Sequence, residues 1–218
     1  MAEKDKSLLK FKPELSASGD GLSLSEILGV NQDVRAWLTL DDTGIDYPIV
    51  QGQDNSEYLN KDVFGNFSLS GSLFLDSRSS GDFTDTYSLI YGHHMDANAM
   101  FGGLDHFLDD SFFTAHPRGT LILEHTAYEI DLFAAIRADA YDDIIFDPTD
   151  TDNNTEPLME FIRTQAVQYR EPDLPADARI LGLSTCSDAS SNARVIVFGL
   201  LTEYSERRLE NAADDQEP

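Results

Sequence analysis

A single cysteine occurs in the 218-residue chain, and it stands eight residues before an arginine: Leu183-Ser-Thr-Cys186, then Arg194. A thiolate is a strong nucleophile, and a guanidinium supplies fixed donors that stabilise either the thiolate or an oxyanion formed from its substrate. Upstream, Tyr91-Gly-His-His-Met95 offers His93, an imidazole able to give and take a proton near neutral pH. Together these are a nucleophile, a general acid/base and an oxyanion partner. A lone cysteine beside an apolar strand is by itself more often a small buried hydrophobe, so it is the company of His93 and Arg194 that argues for chemistry.

Three strands must position these groups. Ile180 to Leu183 and Val195 to Leu201 are apolar runs rich in β-branched and aromatic residues, and Ser187 to Asn192 between them consists of turn formers. They form a hairpin, and antiparallel pairing brings Cys186 and Arg194 to one rim. Tyr87 to His93 reads as a third strand, ending on the histidine as the first ends on the cysteine. His94 follows directly, so its side chain points away from that of His93 and the pair does not chelate.

The remainder reads as short strands with helical insertions. Ala36 to Leu40 and Ile45 to Val50 flank the turn Asp41-Asp-Thr-Gly44, with Pro48 placing the second strand near a sheet edge. Ser72 to Asp76 is a strand, as are Thr120 to Glu124 and Tyr128 to Ala138. Ser56 to Asn60 reads as one helical turn. Met100, Phe101, Leu104 and Phe107 recur at helical spacing, and Ser111 to Phe113 is a second short helix. Pro157 to Tyr169 reads as a longer helix with proline at its start. The acidic stretch Asp139 to Thr155 reads as a mobile loop. Before the core, Ser23-Leu-Ser-Glu26 has capping-box spacing and Asn31 is a candidate cap for a second helix. The absence of βαβ alternation makes this a mainly β protein, a barrel with N-terminal helices and helical insertions.

Residues 1–21 are polar and read as a flexible tether, 22–204 as one catalytic domain, and 205–218 as an acidic disordered tail. A content of 41% hydrophobic residues is enough to fill one core. With 40 acidic against 15 basic residues the net charge is −25, a field that repels nucleic acid and anionic lipid and argues against both as partners. The same field works against a thiolate, which Arg194 at close range favours. No run approaches the roughly 20 apolar residues of a membrane span. With no Gly-rich phosphate loop and no Cys/His cluster at metal spacing, no cofactor and no metal is expected.

The Leu183-Ser-Thr-Cys186 and Arg194 pattern, together with Tyr91-Gly-His-His-Met95 and Met100-Phe101, resembles the class B sortases. The resemblance extends to Trp37-Leu-Thr-Leu, Ile45-Asp-Tyr-Pro-Ile-Val-Gln51, Asp54-Asn-Ser-Glu-Tyr-Leu59 and Gly71-Ser-Leu-Phe-Leu-Asp76, covering roughly residues 23 to 202. It implies an eight-stranded sortase-like barrel and a cysteine transpeptidase acting outside the membrane of Gram-positive bacteria. By this resemblance Cys186 is the nucleophile, His93 the general acid/base and Arg194 the partner of the tetrahedral intermediate, with His94 a neighbour. Asn55, Leu59 and Ser184 match positions lining the family's peptide groove. Asp188 is open between influencing His93 and capping its loop.

The implied substrate is a C-terminal sorting signal of the Leu-Pro-x-Thr-Gly or Asn-Pro-x-Thr-Asn kind, cleaved after Thr. The acyl group then passes from a Cys186 thioester to an amine acceptor, anchoring surface proteins to the cell wall. A thioester suits such a relay because it is reactive enough to be attacked a second time. Two alternatives stand beside wall anchoring: joining pilins through lysine, and a non-catalytic barrel that binds sorting peptides. Members of the family usually carry an N-terminal membrane anchor that is not visible here, so the expectation is open between a trimmed ectodomain of an anchored protein and a different mode of anchoring.

Overall fold

β-Branched and aromatic runs with no helical period build nine strands among the described residues. The computed structural model describes residues 6–13, 24–151, 154–186 and 192–204. In chain order the helices are α1 (Lys6–Leu9), α2 (Ser25–Leu28), α3 (Asp110–Ala115), α4 (Asp143–Phe146) and α5 (Glu156–Gln165). The strands are β1 (Val34–Leu40), β2 (Asp46–Val50), β3 (Leu73–Leu75), β4 (Tyr87–His93), β5 (Arg118–Ile122), β6 (Ala127–Asp139), β7 (Ala166–Tyr169), β8 (Arg179–Cys186) and β9 (Ala193–Glu203).

Eight strands close in the order β5-β1-β2-β3-β4-β8-β9-β6, with β6 pairing back onto β5. This is the expected eight-stranded barrel. The ninth strand, β7, lies outside it. The 13-residue β6 outruns β5 and pairs β7 along its distal part, Ala134↔Tyr169 to Ile136↔Ala166. Reading Pro157 to Tyr169 as one helix therefore overran: α5 stops at Gln165 and the chain turns extended into Ala166. Val167 and Tyr169 are both good strand formers, and pairing with β6 takes up their backbone groups.

Two of the pairings are parallel, β2 with β3 and β4 with β8. The first explains Pro48. β2 is not an edge strand, but β3 joins it only at Ile49 and Val50, so Pro48 has a partner strand on one side alone, through Trp37.

The barrel interior holds Leu38, Ile49, Ile90, Leu121, Leu183 and Val197, all fully buried. Phe101, Leu104 and Phe107 join the barrel core; the helix expected from Met100 instead begins after Phe101, as a 3₁₀ segment spanning Gly102–Leu108 that leads into α3. Outside the barrel, α5 lays Leu158, Met159 and Ile162 on Tyr87, Leu89, Ile180 and Phe198. Because β4, β8 and β9 are covered on both faces, they read as continuous apolar runs without alternation. On another face, Leu24 and Ile27 cover Trp37 and Tyr58.

Several local expectations change. α2 starts after Leu24, which makes no side-chain capping bond, and Ser23 lies outside the described residues. Asn31 caps no second helix: its Oδ1 accepts from Asp33 N while its amide donates to Tyr58 OH and Val63 O. Residues 55–60 form successive turns and no helix. The stretch 139–155 contains α4 and a 3₁₀ turn, because Asp142 and Asp143 carbonyls accept from Ile145, Phe146 and Asp147 amides. Part of the expected tether is docked. Leu8 and Phe11 pack beside Trp37 and Tyr58, and Lys12 Nζ lies 2.9 Å from Asp46 Oδ1. The expected acidic tail, 205–218, lies outside the described residues.

Candidate active site

β4 and β8 run parallel in an unbroken register from Tyr87↔Ile180 to His93↔Cys186, so the histidine and cysteine positions close adjacent strands side by side. β8 and β9 pair antiparallel as far as Ser184↔Ile196, with β8 running on to Cys186 and β9 starting at Ala193, so positions 186 and 194 lie at the same end of the pair. Arg194 is also flanked by β6 at Ala138. The rim is tied at the adjoining step. Thr185 is buried and its hydroxyl accepts from Val195 N at 3.1 Å, holding the ends of β8 and β9 together. His93 and the distant Cys186–Arg194 hairpin thus lie on three neighbouring strands.

His93 is half-buried where the α5 cover runs out. Its Nε2 lies 2.6 Å from the carbonyl oxygen of Leu59. A carbonyl only accepts, so Nε2 carries a hydrogen and Nδ1 is the nitrogen left to exchange a proton. Gly92 lets β4 reach this position, since a Cβ there would run into Leu73 and the Phe101 ring. His94 is exposed and pairs with Asp105 at 2.9 Å, away from the rim.

The acceptor carbonyl is itself supported by a glycine. Gly71 has φ +57°, and a Cβ added there would collide with the oxygen of Leu59. Gly71→Ala is expected to lower stability by about 1–3 kcal/mol through left-handed strain alone, and to displace the carbonyl holding His93. Urea unfolding checks the first effect, and an unchanged midpoint would contradict it.

Beside His93 lies a buried polar cluster. Asp76 has no exposed surface, and its carboxylate accepts from Tyr91 OH, Asn55 Nδ2 and the Arg78 Nε and Nη2, each at 2.9 Å. Burial pushes the Asp76 carboxyl up, but the bonds from Arg78, Tyr91 and Asn55 outweigh it and hold the group below the usual carboxylate range. The folded value lies below the unfolded one, so this stabilisation is complete above the unfolded pKa of about 3.9 and is lost as pH falls through the folded value. The stability gap between wild type and Asp76→Asn is accordingly expected to narrow from pH 5 to pH 3. Denaturation midpoints across that range check it, and a constant gap would count against it.

The groove residues expected from sequence fare differently. Asn55 is half-buried with both ends of its amide engaged, Nδ2 on Asp76 and Oδ1 accepting from Ser77 N. Leu59 is half-buried and meets His93 through its backbone. Ser184 is fully buried, its hydroxyl directed to the Thr185 carbonyl. Asp188 lies outside the described residues. Sequence reasoning missed Asp76, Arg78, Tyr91 and Phe146; an acid and an arginine two residues apart at the end of an apolar strand were the available signal.

A cavity of about 650 Å³ lies between the docked N-terminal segment and Tyr47, Val63, Phe64 and Met100. None of its lining residues belongs to the His93, Cys186 and Arg194 set, which lies at the ends of β4, β8 and β9.

No family model matches the chain. Sortase B of Listeria monocytogenes is 32% identical over 182 residues, covering 82% of this chain and 73% of that protein. A class B sortase of Streptococcus pyogenes involved in pilus biogenesis superposes with a TM-score of 0.77 at 44% identity, covering 84% of this chain and 99% of that one. Sortase B of Staphylococcus aureus in complex with substrate gives a TM-score of 0.75 at 27% identity, covering 82% and 84%. With the closed barrel, the strand-end histidine and cysteine and these relatives together, the chain belongs to the class B sortases and is a cysteine transpeptidase.

Proposed function

We propose that this transpeptidase cleaves a C-terminal sorting signal after Thr and passes the acyl group to an amine, with Cys186, His93 and Arg194 as its catalytic residues. The observation that carries the assignment is the parallel register that pairs His93 with Cys186. In the first half-reaction the Cys186 thiolate attacks the threonyl carbonyl and a C–S bond forms. The C–N bond then breaks, and the leaving amine takes a proton from His93. In the second, the acceptor amine attacks the thioester, the C–S bond breaks, and the amine's proton goes to His93. Nδ1 is the nitrogen that serves both transfers, since Nε2 donates to Leu59 O.

Arg194 supplies donors where the oxyanion develops. One such donor is commonly worth about 2.7–4 kcal/mol, so Arg194→Lys is expected to lower kcat by about 10²–10³, the ammonium lacking the planar fork. Steady-state turnover of a sorting peptide checks this, and wild-type turnover would remove Arg194 from the mechanism. Asn55 and Leu59 are the groove residues of this reading. The basic tail that follows such signals suits a chain of net charge −25, and the reaction belongs at the cell surface.

The acceptor is either a cell-wall peptide or a pilin lysine. Resemblance at 44% identity to a sortase involved in pilus biogenesis supports the pilin reading. Intact-protein mass spectrometry with a panel of sorting peptides tests the first half-reaction, expecting a covalent acyl adduct. Adding either a wall peptide or a lysine-bearing pilin domain tests the second. Discharge by the pilin alone supports pilus assembly, and discharge by the wall peptide alone supports wall anchoring. No adduct with any peptide would overturn the proposed substrate class.

A further inference from the structure

The excursion between β6 and β7 comes back over the barrel and meets the His93 side of β4 through Arg78 and the Phe146 ring. Arg78 donates from Nη2 to the carbonyl of Phe146 at 2.6 Å, and its Nη1 lies 3.2 Å from Asp147 Oδ1. The same guanidinium grips the buried Asp76 through Nε and Nη2. Asp76 in turn holds Tyr91 and Asn55, and the Phe146 ring stacks on Tyr91 at 15° with centroids 6.5 Å apart. Tyr91 stands two residues before His93 on the same face of β4. One fork therefore joins the turn at Asn55, the end of β3, the outer face of β4 and the end of α4.

The two halves of this connection differ in strength. The inner half is a bidentate pair with a fully buried carboxylate, which fixes the guanidinium plane. The outer half is one carbonyl bond and an ion pair whose partners are both 41% exposed, a weak contact in water. The inner grip sets where the outer one can catch.

We propose that Arg78 is a positioning residue that latches α4 and Phe146 against Tyr91 and so sets the width of the peptide groove beside His93. This rests on the reading that a sorting peptide binds along that rim. A lysine retains a charge for Asp76 but has no fork to reach Asp76 and the Phe146 carbonyl together.

The test uses hydrogen exchange and kinetics on the full chain. In Arg78→Lys and Arg78→Met the amides of Ile145, Phe146 and Asp147, which are bonded within α4, are expected to exchange at least tenfold faster, with β4 and β8 amides unchanged. KM for the peptide that acylates the wild type is expected to rise at least threefold, with kcat within twofold. Unchanged exchange at 145–147 in Arg78→Lys overturns the latch, and faster exchange with unchanged KM overturns its hold on the groove. Should Arg78→Met loosen the whole barrel, Arg78→Lys carries the test. If no peptide acylates the wild type, the proposed substrate has failed, and the exchange measurement still decides whether Arg78 fastens α4.

Discussion

Cys186→Ala yields a folded chain that forms no acyl adduct with any sorting peptide and whose turnover falls by at least about 10⁴-fold. The alanine has no nucleophile, and removing the nucleophile of a comparable acyl-transfer site costs as much as removing all of its partners together. Binding and the Arg194 donors survive, so a small residual rate over water is expected, as in other sites stripped of their nucleophile. The fold survives because position 186 is the last of β8, beyond its final described pair with β9 at Ser184↔Ile196. Intact mass after incubation with peptide reads the adduct directly, and peptide cleavage reads the rate. A variant that still acquires the acyl mass would put the nucleophile elsewhere in the chain.

His93→Gln is the second large effect, expected to lower kcat/KM by about 10²–10⁴, the usual range for a general acid/base. Glutamine is chosen because its amide nitrogen can donate to Leu59 O as His93 Nε2 does, so lost orientation does not explain a lost rate. What it lacks is a nitrogen that can both give and take a proton. Steady-state cleavage of the sorting peptide checks this, and turnover within about tenfold of wild type would make His93 a structural residue.

Much of this site is visible in the chain itself. The hairpin with Cys186 and Arg194 at one rim follows from two apolar runs and the turn formers between them, because its contacts are local. The strand ending on His93 and the segment with Phe101, Leu104 and Phe107 follow in the same way. The short strand β7 was hidden because Ala166 to Tyr169 continues the apolar spacing of α5, and only the unpaired length of β6 gives it a partner. Pro48 misled because the rule it invokes concerns pairing on both sides of a strand, and β3 joins β2 just beyond it.

Local pattern and turn chemistry are enough to specify the candidate residue types, the hairpin that carries two of them and a barrel of short strands. Tertiary structure decided the rest. Whether His93 meets Cys186 depends on a parallel register between strands far apart in the chain, set by close packing of side chains on both faces of β4 and β8. The carbonyl that holds the imidazole, the buried carboxylate behind Tyr91 and the arginine that reaches α4 are contacts across elements. No periodicity encodes them, because a hydrophobic pattern reports which face of an element is buried and not which partner covers it.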